Sequence, residues 1–336
     1  PPYHSDTTWT VRMINGELID LRAGDYEARV ATSGAALVHL RKAGRELIIP
    51  FDAETSLPGA WQGKTLVPWP NRITGARYTY HGTEYPVACN EPETGSALHG
   101  LGGWADFQVT AVTGAEETGA GGVPASSATL GLTLPASYAY PWSLEIDVRF
   151  ALDARTGLTV TATTTNVGAA ASPAPDVVGA PQRNGGSPAP APYGVSFHPY
   201  LTRSVPLDQC VLHVPAARVL EVDESMAPVD ERDVTGTDWD WRRGRQVGTT
   251  STDNAYTGLP QGTWQVRLTG GQAGRTVVMS ARAPWVQIYS AERLGRRGVA
   301  VEPMTCPPDA FNSGRDLIEL EVGQSHAFVY RLHEED

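Results

Sequence analysis

Apolar and polar residues alternate along much of this chain, and this period of two is the feature that most restricts its fold. Residues 142–150 read WSLEIDVRF, with five apolar side chains at every second position. Shorter runs with the same alternation occur at residues 130–134, 158–162 and 264–268. Successive side chains of a strand point to opposite faces, so these runs predict half-buried β-strands.

Other segments extend the same pattern to most of the sequence. Residues 276–280 and 327–332 are rich in β-branched and aromatic residues and are further strand candidates. No segment of helical length shows a period of 3.6 residues. The 35 glycines and 26 prolines separate short runs, as turns do in all-β proteins. We therefore expect an all-β fold, a large antiparallel β-sandwich.

Two segments with few large apolar residues interrupt the strands. Residues 114–127 are expected to form the mobile tip of a hairpin. Residues 168–192 are rich in alanine, proline and glycine and cannot fold alone, so they are either a linker between domains or a surface insertion. Because the strand pattern is alike on both sides, we favour a flexible insertion in a single domain that spans residues 1–336.

Charge and cysteine usage limit the classes of partner and the compartment. The net charge of -11 argues against binding to nucleic acid or to an anionic membrane surface. No apolar run approaches the roughly 18 residues of a membrane span. The first residues do not resemble a signal peptide, although a leader removed by processing would leave no trace. The isolated cysteines Cys89, Cys210 and Cys306 favour a reducing compartment, so we expect a cytoplasmic protein.

Two histidines and one glutamate lie at the edges of apolar runs. His198 ends a short run before a proline, His99 precedes a glycine, and Glu302 ends the run VAV. A histidine and a carboxylate that face one substrate can add a proton at one atom and remove one at another. Burial would raise the pKa of Glu302 toward the range of a useful base. Each residue could instead be structural. His198 could bond a loop carbonyl, and the glycines after His99 also fit an ordinary turn. Glu302 could reach solvent or pair with a nearby arginine.

Four more side chains have the chemistry to bind a sugar. Arg72 can donate several hydrogen bonds in a fixed geometry, and Asp253 can accept from a pair of hydroxyl groups. Gln287 interrupts an apolar strand and can donate and accept, and Trp285 could cover the C–H face of a sugar ring. The sequence contains no HxH, HExxH, calcium-loop, phosphate-cradle or serine-nucleophile motif. We therefore expect neither a metal nor another cofactor.

Six motifs, together and in order, resemble the aldose 1-epimerase (mutarotase) family. The resemblance extends from about residue 20 to the end of the chain. The motifs are LVPWPNRI at 66–73, ALHG at 97–100, SFHPY at 196–200, TDNAY at 252–256, VQIY at 286–289, and VEPM at 301–304 continuing to AFNSG at 310–314.

The resemblance implies an enzyme that interconverts the α and β anomers of free hexoses of the glucose or galactose type. It implies one large β-sandwich with the sugar in a cleft on one sheet. The only expected partner is a monosaccharide substrate, and we expect a monomer or weak dimer. By resemblance, Glu302 is the general base on the anomeric hydroxyl and His198 the general acid on the ring oxygen. The sugar-binding residues implied in the same way are His99, Arg72, Asn71, Asp253 and Gln287.

Alternatives of three kinds remain open. A hexose-6-phosphate 1-epimerase would need a basic cluster at the rim of the cleft, for which the arginines at 293, 296 and 297 or at 242, 243 and 245 are candidates. The PWPNR and LHG motifs resemble the free-sugar branch more closely. A non-catalytic sugar-binding module should have lost the acid or the base. A lyase or hydrolase should carry paired carboxylates.

Two features depart from the family pattern. The segment before His198 is longer than expected and could cover the cleft as a lid or lie in solvent. Tyr256 stands where phenylalanine is common, a change that we expect to be tolerated.

Overall fold

Antiparallel strands make up nearly all of the regular structure. The computed structural model describes residues 13–114, 125–169, 189–271 and 274–335. One short α-helix, α1, covers Ala310–Ser313 in the described part of the chain. In chain order the strands are β1 (Leu18–Ala23), β2 (Tyr26–Ala31), β3 (Ala36–Lys42), β4 (Arg45–Glu46), β5 (Thr65–Leu66), β6 (Arg72–Ile73), β7 (Arg77–Tyr80), β8 (Thr83–Pro86), β9 (Ala97–Leu98), β10 (Gln108–Thr113), β11 (Ala125–Leu134), β12 (Trp142–Asp153), β13 (Gly157–Ala169), β14 (Ala191–Tyr193), β15 (Ser196–Phe197), β16 (Tyr200–Thr202), β17 (Val211–His213), β18 (Arg218–Val222), β19 (Pro228–Asp233), β20 (Arg245–Gln246), β21 (Asp253–Thr257), β22 (Trp264–Thr269), β23 (Thr276–Ala281), β24 (Trp285–Tyr289), β25 (Gly298–Met304), β26 (Ile318–Leu320) and β27 (Ser325–Glu335).

The alternating runs of the sequence form strands with one buried face. In β12 every second residue from Trp142 to Leu152 is buried, and the residues between them are exposed or half-buried. Strand β22 shows the same alternation over its whole length. Strand β23 differs, because all six of its residues are buried. The prediction of an antiparallel all-β fold is confirmed.

Two large sheets contain most of these strands. The nine-stranded sheet has the order β10-β11-β12-β13-β27-β23-β22-β17-β20. The eight-stranded sheet has the order β19-β18-β21-β24-β25-β15-β5, with β16 also paired to β25. Strands β1 to β4 form a separate four-stranded sheet, and three two-stranded sheets complete the described structure. Pairing between neighbouring strands of the two large sheets is antiparallel.

The hydrophobic core lies where the two large sheets meet. Phe197 of β15 contacts Phe328 and Tyr330 of β27, with ring centroids 6.0 and 4.7 Å apart. Val286 and Ile288 of β24 belong to the same buried cluster. Because strand side chains alternate between faces, the residues between and beside these two point away from the core. Gln287 and Tyr289 therefore lie on the opposite face of the eight-stranded sheet.

The two predicted loops fall largely outside the described residues. Strands β10 and β11 pair as a hairpin, and residues 115–124, its predicted tip, are not described. The prediction for 114–127 is wrong at its end, because residues 125–127 already belong to β11, where they pair with β12. The predicted insertion at 168–192 begins inside β13 and ends inside β14, and its residues 170–188 lie outside the described part of the chain.

The described part of the chain contains no helix with the length and apolar character needed to cross a bilayer. Cys89, Cys210 and Cys306 are all free thiols, the first exposed and the other two buried.

Candidate active site

Strand register brings the predicted residues onto one face of the eight-stranded sheet. Glu302 of β25 pairs with Gln287 of β24. Two residues further along β24, Tyr289 pairs with Asp253 of β21. Residues directly opposite in an antiparallel pair project to the same face, so these side chains form two adjacent rows. Strand β16 extends the second row, because Tyr200 pairs with Ala300 on the far side of β25.

His198 lies between β15 and β16, next to Glu302. Its backbone is held on both sides, since its N–H donates to the Lys64 carbonyl and its own carbonyl accepts from the Gly63 N–H. Phe197 points into the core, so the next side chain points into the cleft. His198 Nε2 lies 3.4 Å from Glu302 Oε1, and the two side chains are 6% and 2% exposed. The predicted acid and base are therefore in contact and almost completely buried.

Burial shifts the pKa values of this pair in opposite directions. It lowers the pKa of His198 to about 3. Burial, reinforced by the negative charge of Asp253, raises the pKa of Glu302 well above its usual value, and Arg72 offsets this only in part. Both shifts oppose the charged form. A single proton shared by the pair therefore favours Glu302, leaving both residues neutral.

His99 completes the base of the cleft from two short strands. The Asn71 backbone N–H donates to His99 Nδ1 at 3.2 Å, and the His99 N–H donates to the Asn71 carbonyl at 2.8 Å. Both residues have positive φ, and a Cβ on Gly100 would stand 2.2 Å from the Val67 carbonyl oxygen. The glycine after His99 is therefore required by a close backbone approach.

The donor to Nδ1 fixes the tautomer of His99. Burial, the nearby His198 and Arg72 hold the pKa of His99 well below its usual value, so the ring is neutral. A neutral ring that accepts at Nδ1 carries its proton on Nε2. His99 therefore presents a donor to the cleft, suited to a sugar oxygen.

The same tautomer bears on metal binding. Ligand atoms of His99, His198 and Glu302 lie within 4.8 Å of one another. A cation needs a lone pair on the coordinating nitrogen, and on His99 that nitrogen carries the proton. These three residues fit a cluster of hydrogen-bonding groups better than a set of metal ligands.

Arg72 enters the cleft already paired with a carboxylate. Its Nε and Nη2 donate to the two oxygens of Glu91 at 2.6 and 2.8 Å. The two side chains are 10% and 8% exposed. Asn71 supports the same guanidinium through its side-chain oxygen, 3.3 Å from Nη1. A bidentate pair restricts the rotation of Arg72, so its remaining donors keep a fixed direction.

Asp253 lines the cleft, whereas Gln287 lies next to Asp253 and supports it through a hydrogen bond. Gln287 Nε2 donates to Asp253 Oδ1 at 2.7 Å. Burial raises the pKa of Asp253, and Arg72 and the bond from Gln287 act against that rise. Gln287 is 2% exposed and is not among the residues that line the cleft. Its position favours holding Asp253 in place over direct contact with a ligand.

The aromatic surface of the cleft differs from the one expected. Trp285 is fully buried, and its indole N–H donates to Asp316. Trp61 lines the cleft instead, with its ring centroid 5.0 Å from that of His99. Tyr200 also lines the cleft and stacks on His198, with the two ring centroids 5.0 Å apart. The cleft, about 90 Å³ in volume, is thus narrow and walled by rings.

The arginines considered as a basic cluster do not gather at the rim of the cleft. Arg293 lines the cleft, 65% exposed and 3.9 Å from Glu93. Arg296 points elsewhere and pairs with Asp208 and Glu292. None of the three is paired with Glu302. In the second group Arg242 pairs with Asp240, and Arg245 lies over Trp241.

Sequence reasoning missed the cleft residues Trp61 and Glu91, and it considered Arg293 only as part of a basic cluster for a sugar phosphate. They come from loops and turns outside the alternating strands, and no motif in one sequence marks them. Glu91 alone had a usable signal, because a buried arginine requires a carboxylate partner. The hydroxyl of Tyr256, in place of the usual phenylalanine, bonds Thr252 and Trp241 at 2.9 and 3.3 Å, which explains why it is accommodated.

The chain resembles known proteins along nearly its whole length. The family model described as aldose 1-epimerase matches residues 17–174 and 182–333, with its only break inside the predicted insertion. The uncharacterized protein YihR of Escherichia coli strain K12 is 37% identical over 320 residues, which cover 95% of this chain and 94% of that protein.

Solved structures extend the similarity to the fold. Galactose 1-epimerase from Lactobacillus acidophilus NCFM superposes with a TM-score of 0.77 at 16% identity, covering 97% of both chains. An aldose epimerase homologue from C. elegans gives 0.76 at 19% identity, covering 95% of this chain and 98% of its own.

Proposed function

Because the chain belongs to the aldose 1-epimerase family, we propose that it interconverts the α and β anomers of a free hexose of the glucose or galactose type. The observation that carries the proposal is the buried contact between His198 and Glu302 at the base of a cleft lined by polar side chains. Anomer exchange requires proton transfers at two oxygens of the sugar, and this pair can supply both.

In the proposed reaction, each of these two groups transfers one proton to or from the sugar. Glu302 removes the proton from the anomeric hydroxyl while His198 protonates the ring oxygen, and the bond between C1 and the ring oxygen breaks. The open-chain aldehyde rotates about its C1–C2 bond and presents its other face. Reclosure reverses both transfers, so the pair returns to its starting state. Each proton transfer to or from a positioned group contributes about 10²–10⁴-fold to the rate.

Because the pair shares one proton, the two buried groups can act without taking up a proton from solvent or releasing one to it. The reactive form requires a carboxylate at Glu302 and a proton on His198, whereas burial favours the neutral pair. Both forms contain one proton, so no exchange with solvent is needed. Sugar hydroxyl groups and the Arg72 guanidinium, which already acts to lower the pKa of Glu302, would stabilise the charged form.

The other residues bind and orient the sugar in this proposal. Arg72 and the His99 Nε2–H are donors to sugar oxygens, and Asp253 accepts from hydroxyl groups. Asn71 and Gln287 hold these side chains through the hydrogen bonds described above. Stabilisation of the charge that develops on the ring oxygen is assigned to Arg72 or His99.

Polarimetry tests the proposed function directly. Freshly dissolved α-D-glucose and α-D-galactose should approach anomeric equilibrium faster with the protein than in buffer alone. The control is the Glu84→Gln variant, which lacks an exposed carboxylate on β8. It should accelerate the approach to equilibrium as much as the parent protein does. If neither sugar nor glucose 6-phosphate responds, the catalytic proposal fails and a sugar-binding module becomes the better explanation.

Asp253→Ala should chiefly weaken sugar binding. It removes an acceptor that serves the bound sugar and the transition state alike, so KM should rise about tenfold to a hundredfold with a smaller change in kcat. Initial rates over a range of sugar concentrations measure both constants. Asp253→Asn keeps the shape and one acceptor, so its KM should lie between that of the parent protein and that of the alanine variant. An unchanged KM in the alanine variant would remove Asp253 from the sugar site.

One shared proton predicts a broad pH profile. Burial lowers the pKa of His198 to about 3 and raises that of Glu302 well above its usual value, so the pair gains a second proton only in strong acid and keeps its one proton above the usual carboxyl range. The value of kcat/KM, corrected for spontaneous mutarotation, should change less than about twofold between about pH 5 and pH 7. A transition centred near the ordinary histidine pKa of about 6.5 would contradict this.

A hexose-6-phosphate is the second candidate substrate, and one residue favours it. Arg293 stands at the rim of the cleft, largely exposed and only 3.9 Å from the exposed Glu93. It could pair with a phosphate on the sugar. Faster anomerisation of glucose 6-phosphate than of glucose, lost in Arg293→Gln, would establish this alternative.

We further propose that the chain is a single domain that acts in the cytoplasm as a monomer or weak dimer. Its free cysteines and the hydrophobic cluster shared by both large sheets support this. Light scattering coupled to size-exclusion chromatography would measure the oligomeric state.

A further inference from the structure

A second cavity lies beside the candidate active site and shares none of its lining residues. It has a volume of about 490 Å³, far larger than the cleft. Strand β4, the end of β16 and the turn before β25 form its walls. Strand β16 contributes to both, since Tyr200 lines the cleft and Thr202 lines the cavity.

Four arginines line this cavity, Arg45, Arg203, Arg296 and Arg297. Such a concentration of guanidinium groups is notable in a chain of net charge -11. Apolar wall is also present, from Ile49, Pro50, Val205 and Pro206. The cavity therefore combines cationic donors with an apolar surface, as ligand sites do.

Arg203 brings to this cavity a buried cation whose charge is only partly neutralised. Its side chain is 4% exposed, and its two terminal nitrogens both donate to one oxygen of Glu334 at 3.0 Å. Arg45 donates to the other oxygen of the same carboxylate at 2.6 Å. One buried carboxylate thus serves two arginines. The Arg203 Nε is buried and has no hydrogen-bond partner, which is costly for a charged group.

Arg297 adds an exposed cation at the mouth. Its Nε donates to the Leu294 carbonyl at 3.1 Å, and no carboxylate in the described part of the chain forms an ion pair with it. Glu46 is the acidic residue among those lining the cavity in the described structure. One of its oxygens accepts from Arg41 at 2.5 Å, so its charge is paired with a cation that does not line the cavity.

We propose that this cavity binds a small phosphate monoester, with the phosphate on Arg203 and Arg297 and the organic group against Pro50 and Val205. Guanidinium groups match the geometry of phosphate oxygens, and several directed at one space favour a dianion over a carboxylate. The proposed site is separate from the sugar cleft and does not depend on the proposed activity.

Isothermal titration calorimetry with glycerol 2-phosphate tests the proposal. The protein should bind this ester and should not bind glycerol, its neutral counterpart. Arg297→Gln should weaken binding about tenfold and Arg297→Glu more strongly, as loss and reversal of one charge require. Both changes are at an exposed side chain and should leave the fold intact, which a thermal melt would check.

Two control variants locate the bound anion. Arg243→Gln makes the same change of net charge at an exposed residue outside the cavity and should bind normally. Arg293→Gln removes the exposed cation of the sugar cleft and should also bind normally. Absence of binding to the parent protein would overturn the proposal, as would equal weakening by Arg243→Gln or a loss confined to Arg293→Gln. Tighter binding of inorganic phosphate than of the ester would overturn the part assigned to the apolar wall.

Discussion

Replacing Glu302 by glutamine should lower kcat for anomer exchange by about 10²–10⁴-fold while sugar affinity changes little. Glutamine keeps the size and the hydrogen-bonding ability of the side chain but cannot take a proton from the anomeric hydroxyl. It also lacks the charge whose burial raises the pKa of this carboxyl, so the variant should fold at least as well as the parent.

Three measurements together make this test decisive. Polarimetry gives kcat, calorimetry with the same sugar gives the affinity, and a thermal melt reports folding. The Glu84→Gln variant controls for loss of one carboxylate at an exposed position. A folded Glu302→Gln protein with the full rate would show that another group is the base.

The second large effect is expected at His198. His198→Asn should lower kcat by a similar factor of about 10²–10⁴, because asparagine cannot deliver a proton to the ring oxygen. In the proposed reaction Glu302 and His198 act in the same step, so the double variant should be little slower than either single one. Multiplied effects would indicate that the two residues act independently.

His198→Asn needs its own structural control, because the ring stacks on Tyr200. His198→Gln preserves more of that volume and still cannot act as an acid, so it should be equally slow. If asparagine lowers the melting temperature and glutamine restores both stability and rate, the role of His198 would be packing.

The alternation of residues was enough to predict the sheets but not their pairing. The runs ending in Phe150 and beginning at Trp264 are strands because their apolar residues recur at every second position. Strand β23 is buried on both faces, so no alternation marks its outer side. The order of nine and eight strands depends on contacts between distant segments, which one sequence does not reveal.

The candidate site was predictable where its residues belong to strands with recognisable motifs. Asp253, Gln287 and Glu302 are neighbours across three strands. Motif resemblance could not distinguish a residue that touches ligand from one that positions it, and Gln287 is the example: it holds Asp253 and does not line the cleft. Trp285, expected beside the sugar, is fully buried because Asp316 accepts from its indole N–H and Arg315 lies 4.5 Å above its ring.

The register of β24 and β25 also restricts how proteins with this fold can vary. Insertion of one residue within either strand would turn the side chain of Glu302 or Gln287 toward the core and away from the cleft face of the sheet. The loops that carry Trp61, Glu91 and Arg293 have no such restriction. Variation in chain length should therefore accumulate in these loops, where we expect it to alter which sugar fits, while the proposed acid and base keep their places. Grafting loops between relatives is consequently the natural route to a new specificity.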